Sequence, residues 1–115
     1  MRPGQLDGFK KQAAECIRLT REKDTGTLRY DWFLSSDGAQ CEVREAYTGA
    51  QGLIEHRVNV APALQTLFEH YADNHAMTIY GPASRQLLDL AEANHMPGHI
   101  TWFSFLEGLE PAARP

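Results

Sequence analysis

The chain has 115 residues, 43% of them hydrophobic, and a formal net charge of −4 at pH 7. This length suits a single domain, 1–115, with a core at about 3–108 and a loose C-terminal tail. The acidic balance, without a lysine or arginine cluster, argues against a nucleic-acid partner. No apolar run approaches the roughly 18 residues of a membrane span, and no signal-peptide core is present. We therefore expect a cytoplasmic protein that binds neither nucleic acid nor membranes.

The first predicted element is an amphipathic helix that follows Pro3-Gly4 and reaches about Lys23. Its apolar residues recur at helical spacing, while its opposite side is charged. The apolar set is Leu6, Phe9, Ala13, Cys16, Ile17 and Thr20. Asp24-Thr25-Gly26 ends the helix, which we expect to cover a flat surface.

A β-hairpin is predicted next, because Asp37-Gly38 is a strong two-residue turn signal between alternating runs. Pairing Ser36 with Ala39 fixes the register, since a slip of one residue would exchange the faces of one strand. One face then carries, from strand to strand, Leu34 opposite Cys41, Trp32 opposite Val43, Tyr30 opposite Glu45 and Leu28 opposite Tyr47. The other face is polar, and we expect an Asp31–Arg44 ion pair across it.

The next helix begins near Ala50, with Thr48 as its expected N-cap. One stripe along it carries Leu53, His56, Val60, Leu64, Leu67 and Tyr71. Pro62 either kinks this helix or starts a second helical piece.

Three shorter elements complete the pattern. Ala76–Tyr80 is a predicted strand with Met77 and Ile79 on one face. A helix capped by Ser84 follows, with Leu87, Leu88 and Ala91 inward, and it stops at residues 95–98. The last predicted strand, His99–Leu106, is apolar on both faces and is expected to be buried on both sides.

The order of elements predicts an α+β fold with helices on one face of an antiparallel sheet. The other sheet face carries Phe33, with Phe103 and Phe105 as neighbours. A second sheet packed on these rings would bury them, so we expect a homodimer through the sheet face. Cys16 and Cys41 fall on apolar faces without CxxC spacing, which favours reduced core thiols over a disulfide.

Three segments together resemble the antibiotic biosynthesis monooxygenase (ABM) domain. They are the run from Gly26 to Phe33, the Glu45-Ala46-Tyr47 triplet and the helical run from Leu53 to Val60. The resemblance covers about residues 3–108 and implies a ferredoxin-like fold of the dimeric α/β-barrel superfamily. Family members start with a strand ahead of Pro-Gly, and here only two residues precede it. The strand His99–Leu106 is the candidate for that slot, in its own subunit or exchanged.

The ABM resemblance implies cofactor-independent oxygenation of a quinol- or anthrone-like aromatic. Such a site needs a base, hydrogen-bond donors and aromatic walls. His56 is the candidate base, because an unperturbed histidine titrates near about 6.5, with Asn59 and Tyr30 as hydrogen-bonding groups. Trp32, Tyr47 and Trp102 are the candidate walls. Glu45, the one carboxylate on the apolar face, either orients the imidazole or makes a structural hydrogen bond.

Each of these candidate site residues also has a simpler, structural interpretation. The aromatic residues and His56 can be ordinary core residues, and Asn59 can cap the segment at Pro62. The chain would then be a non-catalytic dimeric module, with or without a small ligand. The five histidines show no HExxH or paired spacing, so no metal site is predicted. Haem, which some relatives in the superfamily degrade, is disfavoured because the first strand is missing.

Overall fold

The computed structural model describes residues 1–82, 85–93 and 99–109. The chain divides into two compact units, Met1–Asn74 and His75–Pro115. The expectation that residues 1–115 act as a single domain stays a prediction. The expected cap at Ser84, the stop at residues 95–98 and the tail at 110–115 lie outside the described residues.

The first unit contains two long helices and a hairpin in the predicted order. Its elements are α1 (Leu6–Lys23), β1 (Thr27–Leu34), β2 (Cys41–Tyr47) and α2 (Ala50–His70). Helix α1 buries Phe9, Ala13, Cys16 and Thr20, which belong to the predicted apolar face. The amphipathic pattern of this helix is therefore confirmed.

The hairpin has the predicted register from Leu34–Cys41 up to Arg29–Ala46. Beyond that point a bulge shifts the register, so that Thr27 instead of Leu28 lies opposite Tyr47. The expected Leu28–Tyr47 pair is therefore wrong, and Leu28 is 70% exposed. A bulge adds one residue to one strand and sends the extra side chain out of the ladder.

The charges on the outer hairpin face pair along each strand and not across the sheet. Arg44 Nη2 lies 2.9 Å from Glu42 Oε1, and Arg29 Nε lies 3.5 Å from Asp31 Oδ2. The expected Asp31–Arg44 pair is replaced by these contacts. All four side chains are more than half exposed, so each pair contributes little to stability.

Helix α2 begins at Ala50, as predicted, but its N-cap residue is not Thr48. Thr48 donates its backbone N–H to Gly26 O at 2.9 Å, which extends the hairpin by one bond, and Gly49 becomes the N-cap residue. Pro62 lies inside a single continuous helix, so no second helical piece starts there. Proline leaves the carbonyl of Val58 without its usual donor, and Val58 is 64% exposed. Water can satisfy that carbonyl, which explains why the helix continues.

Both helices cover the same face of the hairpin. The core cluster consists of Phe9, Leu67 and Ala72, with Trp32 and Tyr71 among the partly buried residues packed on it. The rings of Phe9 and Trp32 meet edge to face at 6.0 Å between centroids. Helices on one face of an antiparallel sheet are confirmed for this unit.

The second unit is a strand–helix–strand segment with a parallel strand pair. Its elements are β3 (Ala76–Tyr80), α3 (Arg85–Ala93) and β4 (His99–Phe103). Strand β4 pairs in parallel with β3, from Ala76–His99 to Tyr80–Phe103. The expected all-antiparallel sheet is wrong here, because a crossover through a helix returns the chain in the same direction.

Strand β4 is also shorter and more exposed than predicted. It ends at Phe103, and Phe103 and Phe105 are each about half exposed, while Leu106 is 94% exposed. The expected burial of this strand on both sides is therefore wrong for the chain by itself. In β3, Met77 and Ile79 share the more buried face, as predicted. None of the described helices combines the length and the apolar character that crossing a bilayer requires.

Candidate functional site

The loop between α1 and β1 brings a carboxylate against α2. Asp24 is the C-cap residue of α1, and its N–H donates to Thr20 O at 3.0 Å. The carboxylate of Glu55, on α2, accepts from Thr25 N at 2.7 Å and from Gly26 N at 3.3 Å. The two residues that follow Asp24 are therefore fastened to α2.

Two glycines allow this close approach. A Cβ atom built on Gly52 would lie 2.7 Å from Gly26 O. Real Cβ atoms do not tolerate such a contact with backbone, so any side chain at Gly52 must push the first turn of α2 away from the loop. The backbones of the two segments touch because both residues are glycine.

His56 is a fully buried polar residue, at 1% exposure. Its Nδ1 lies 2.7 Å from Oδ2 of Asp24, and both side chains are 2% exposed. An ionised carboxylate only accepts hydrogen bonds, so Nδ1 carries the proton that it donates. In the neutral imidazole, Nε2 then presents a lone pair and can act as a base.

Asp24 collects further donors. Asn59 Nδ2 donates to Oδ1 at 2.7 Å, and Thr27 Oγ1 donates to Oδ2 at 2.7 Å. Burial by itself raises the pKa of Asp24, but the hydrogen bonds from Asn59, Thr27 and His56 outweigh it and hold the pKa below its ordinary value. The carboxylate is therefore ionised at neutral pH, and the imidazole stays oriented.

The opposite side of the imidazole faces hairpin residues. Glu45 Oε1 lies 3.9 Å from Nε2 of His56. The Tyr30 ring meets the imidazole edge to face at 4.5 Å, and the Tyr47 ring lies tilted at 5.5 Å, both between centroids. The hydroxyl of Tyr47 donates to Glu45 Oε1. The imidazole therefore lies beside two aromatic rings, with the Glu45 carboxylate near Nε2.

Both phenols stay protonated over the ordinary pH range. Burial raises the pKa of Tyr30 far above its usual value, and Cys16 and Glu45 raise it further. Burial likewise raises the pKa of Tyr47, with the charge of Glu45 as the next cause. The two hydroxyls serve as hydrogen-bond donors and not as phenolate bases.

The structure brings together most of the residues predicted from the sequence. Around the imidazole of His56 lie Tyr30, Glu45 and Tyr47, and Asn59 reaches His56 through Asp24. Asp24 orients the imidazole, a role that was one of the two expected for Glu45. One amide proton of Asn59 is donated to Asp24. The role of Asn59 as a donor to a substrate oxyanion stays a prediction.

The two tryptophans predicted as walls belong to different units of the chain. Trp32 lies two residues after Tyr30 in β1, on the same face, and the two ring centroids are 5.6 Å apart. Its Nε1 is buried without a partner among the described residues. Trp102 is in β4 of the second unit, opposite Ile79. Wall roles for both stay predictions.

Sequence reasoning missed Asp24 as a site residue. It treated this residue only as the end of a helix. A carboxylate at a helix C-terminus opposes the negative end of the helix dipole, and such a position calls for compensating donors. That conflict was the available signal, but it could not say which donors would come.

The arrangement suits proton transfer. A buried carboxylate, a histidine with one free nitrogen and nearby phenols are the parts of a general acid–base site. Among the described residues, no group of three or more histidine, cysteine, aspartate or glutamate side chains is placed to hold a metal ion.

No family model and no curated protein sequence matches the chain. In fold the chain is similar to MupZ from Pseudomonas fluorescens, a crystal structure that aligns with a TM-score of 0.72. The alignment covers 100% of this chain and 90% of that one, at 24% sequence identity. At this identity the likeness establishes the fold alone, a small α+β protein.

Proposed function

We propose that this protein is a cofactor-independent monooxygenase-like enzyme that oxidises a small hydroxylated aromatic of the quinol or anthrone type. The observation that carries the proposal is the buried Asp24–His56 pair, with Glu45 3.9 Å from the free nitrogen and the rings of Tyr30 and Tyr47 beside the imidazole. The resemblance of residues 3–108 to the ABM domain names the reaction class. The likeness to MupZ is one of fold and adds no chemistry to the proposal.

His56 starts the reaction in this proposal. Its Nε2 takes the acidic proton of an anthrone methylene, and Asp24 stabilises the imidazolium that forms. The substrate carbanion then reduces O₂, which adds to the same carbon as a hydroperoxide after a proton returns. Loss of water leaves the quinone carbonyl, so one anthrone and one O₂ yield one quinone and one H₂O. The substrate supplies all the electrons.

The proposed assembly is a homodimer in which two sheets pack to form an α/β barrel. Phe33, on the outer hairpin face, is 54% exposed and supports this packing. A Phe33→Asp variant would elute as a monomer in size-exclusion chromatography if that face carries the interface. An unchanged elution volume would place any interface elsewhere.

A second candidate is a non-catalytic module of the same fold. The observation in its favour is that the donors of His56, Asn59 and Thr27 all converge on Asp24. Such a network fastens the α1–β1 loop to α2 whether or not any reaction takes place. In that case His56 is a satisfied core residue.

Oxygen uptake with menadiol and with an anthrone separates the two candidates. We expect wild type to consume O₂ faster than the substrate does in buffer without protein. His56→Ala should consume it no faster than that background. His70→Ala is the matched control, because His70 lies on the same helix with its side chain 62% exposed. Circular dichroism of each variant checks that it is folded.

The monooxygenase proposal fails if folded His56→Ala and wild type take up oxygen equally. Titration of tryptophan fluorescence with a panel of naphthoquinones and anthraquinones then tests the module. Quenching without turnover would support a ligand-binding module, and no quenching would leave a purely structural one.

A further inference from the structure

A cation lies beside the candidate base. Arg57 follows His56 directly in α2, and its side chain is half-buried. Its charge acts on Glu45, Tyr47 and Tyr30, the three groups that surround the Nε2 side of the imidazole. The guanidinium therefore interacts with the same three groups that neighbour the imidazole of His56.

This cation has no carboxylate in contact among the residues that the structure describes. Exposed arginines such as Arg18 and Arg44 form close ion pairs with neighbouring glutamates, whereas Arg57 forms none. Removal from water disfavours a charged group unless an opposite charge compensates it. Burial accordingly lowers the pKa of Arg57, and the charge of Glu45 offsets only part of this effect. An added anion would complete the compensation.

The proposed reaction creates such an anion. When His56 removes a proton from a hydroxylated aromatic, negative charge spreads onto an oxygen of the substrate. The side chain predicted for that oxygen, Asn59, already donates to Asp24 at 2.7 Å. A fixed positive group aimed at developing charge is an effective way to lower a reaction barrier.

We infer that Arg57 binds the substrate oxygen that becomes negative, and that the substrate therefore carries an ionisable phenolic or enolic hydroxyl conjugated with the reacting carbon. This inference rests on the proposed function. Arg57 would contact substrate directly, while Asp24 acts only through His56.

The ionisation of a bound dye tests the inference independently of turnover. The probe is 1,8-dihydroxyanthraquinone, whose visible absorption changes when a hydroxyl ionises. We expect the dye bound to wild type to have an acid dissociation constant about tenfold or more above that of the dye bound to Arg57→Gln, because a nearby cation favours the anion. Arg57→Lys should fall between them. Arg44→Gln removes the same charge from the outer hairpin face and should match wild type.

Oxygen uptake provides the second measurement. Arg57→Gln should lower kcat by about 10²-fold, and Arg57→Lys should lower it less. Equal dye ionisation on wild type and Arg57→Gln, or no binding of the dye to wild type, would overturn the inference. If that occurs while His56→Ala abolishes uptake, the proposed function survives without Arg57. If dye ionisation depends on Arg57 but His56→Ala has no effect, the anion site stands and the oxidation fails.

Discussion

Oδ2 of Asp24 lies 2.7 Å from Nδ1 of His56, although 32 residues separate them in the sequence. The contact joins the end of α1 to the middle of α2, and it selects the imidazole tautomer. Because both side chains are almost completely buried, the pair exchanges little with water.

Asp24→Asn should keep the shape of the site but remove its charge. The amide can donate to Nδ1 and favour the tautomer in which Nε2 carries the proton, so the base would be lost. We expect kcat for quinol or anthrone oxidation to fall by about 10²- to 10⁴-fold. Asp31→Asn, on the exposed outer hairpin face, should leave kcat unchanged. A full rate in Asp24→Asn would remove Asp24 from the mechanism.

The stability of the fold should depend on pH through Asp24. Its pKa is lowered in the folded protein, whereas an unfolded aspartate titrates near about 3.9. The unfolded chain therefore binds the proton first as the pH falls, and stability is lost. The contribution of Asp24 is fully present above about pH 5 and declines as the pH falls through 4 and lower.

Urea unfolding at pH 7, 5, 4 and 3 measures this contribution. The difference in free energy of unfolding between wild type and Asp24→Asn should shrink toward the acidic end of the series. Asp31→Asn serves again as the control, with a small and constant difference. A difference that grows at low pH would show that the carboxylate is not ionised in the fold.

Gly52→Ala should destabilise the first unit. The new Cβ would meet Gly26 O at 2.7 Å, and the forced separation should cost about 1–3 kcal/mol in free energy of unfolding. Gly49→Ala is the matched control, because its Cβ would have nothing within 4 Å. Thermal unfolding of both variants makes the comparison. Equal midpoints would mean that loop and helix are not in close contact.

Tyr47→Phe should weaken the hold on Glu45. The hydroxyl of Tyr47 donates to Glu45 Oε1, and the Glu45 side chain is 22% exposed, so water can replace part of the lost bond. We expect a loss of about 1 kcal/mol in stability and a lower kcat. Tyr80→Phe should change neither, since Tyr80 is 77% exposed. An unchanged kcat in Tyr47→Phe would assign Tyr47 to packing alone.

The two thiols should differ in reactivity. Cys16 is 0% exposed, and burial raises its pKa to about 11. Cys41 is half-buried, with its pKa also raised by burial. Ellman's reagent at pH 8 should therefore modify Cys41 first and Cys16 only on unfolding. Two equally fast thiols would mean that α1 opens readily.

The first unit was largely predictable because its signals are local. The turn at Asp37-Gly38 and the alternation around it fixed the pairing of Tyr30 with Glu45. The helix stripe placed His56 toward the hairpin, where it lies. Hydrophobic periodicity determines which face is buried, and that was sufficient to bring Tyr30, Glu45 and His56 together.

The errors involve features that periodicity does not encode. A bulge needs one additional residue in a strand, and no pattern in Thr27-Leu28-Arg29 marks it. The choice of Asp24 as the partner of Nδ1 depends on where a loop crosses a helix. The parallel pairing of β3 with β4 depends on the route of the chain through α3. These are tertiary relationships, which local sequence constrains only weakly.

The additional residue at Leu28 determines what touches the Asp24 carboxylate. If the same sequence paired without the bulge, Leu28 would occupy the place opposite Tyr47, and the carboxylate would lose the hydroxyl of Thr27. The bulge leaves the Leu28 side chain exposed to water and places the Thr27 hydroxyl against Asp24. Deletion of Leu28 would bring Thr27 next to Arg29 and leave it opposite Tyr47, so the ladder would become regular while Thr27 kept its place in the site.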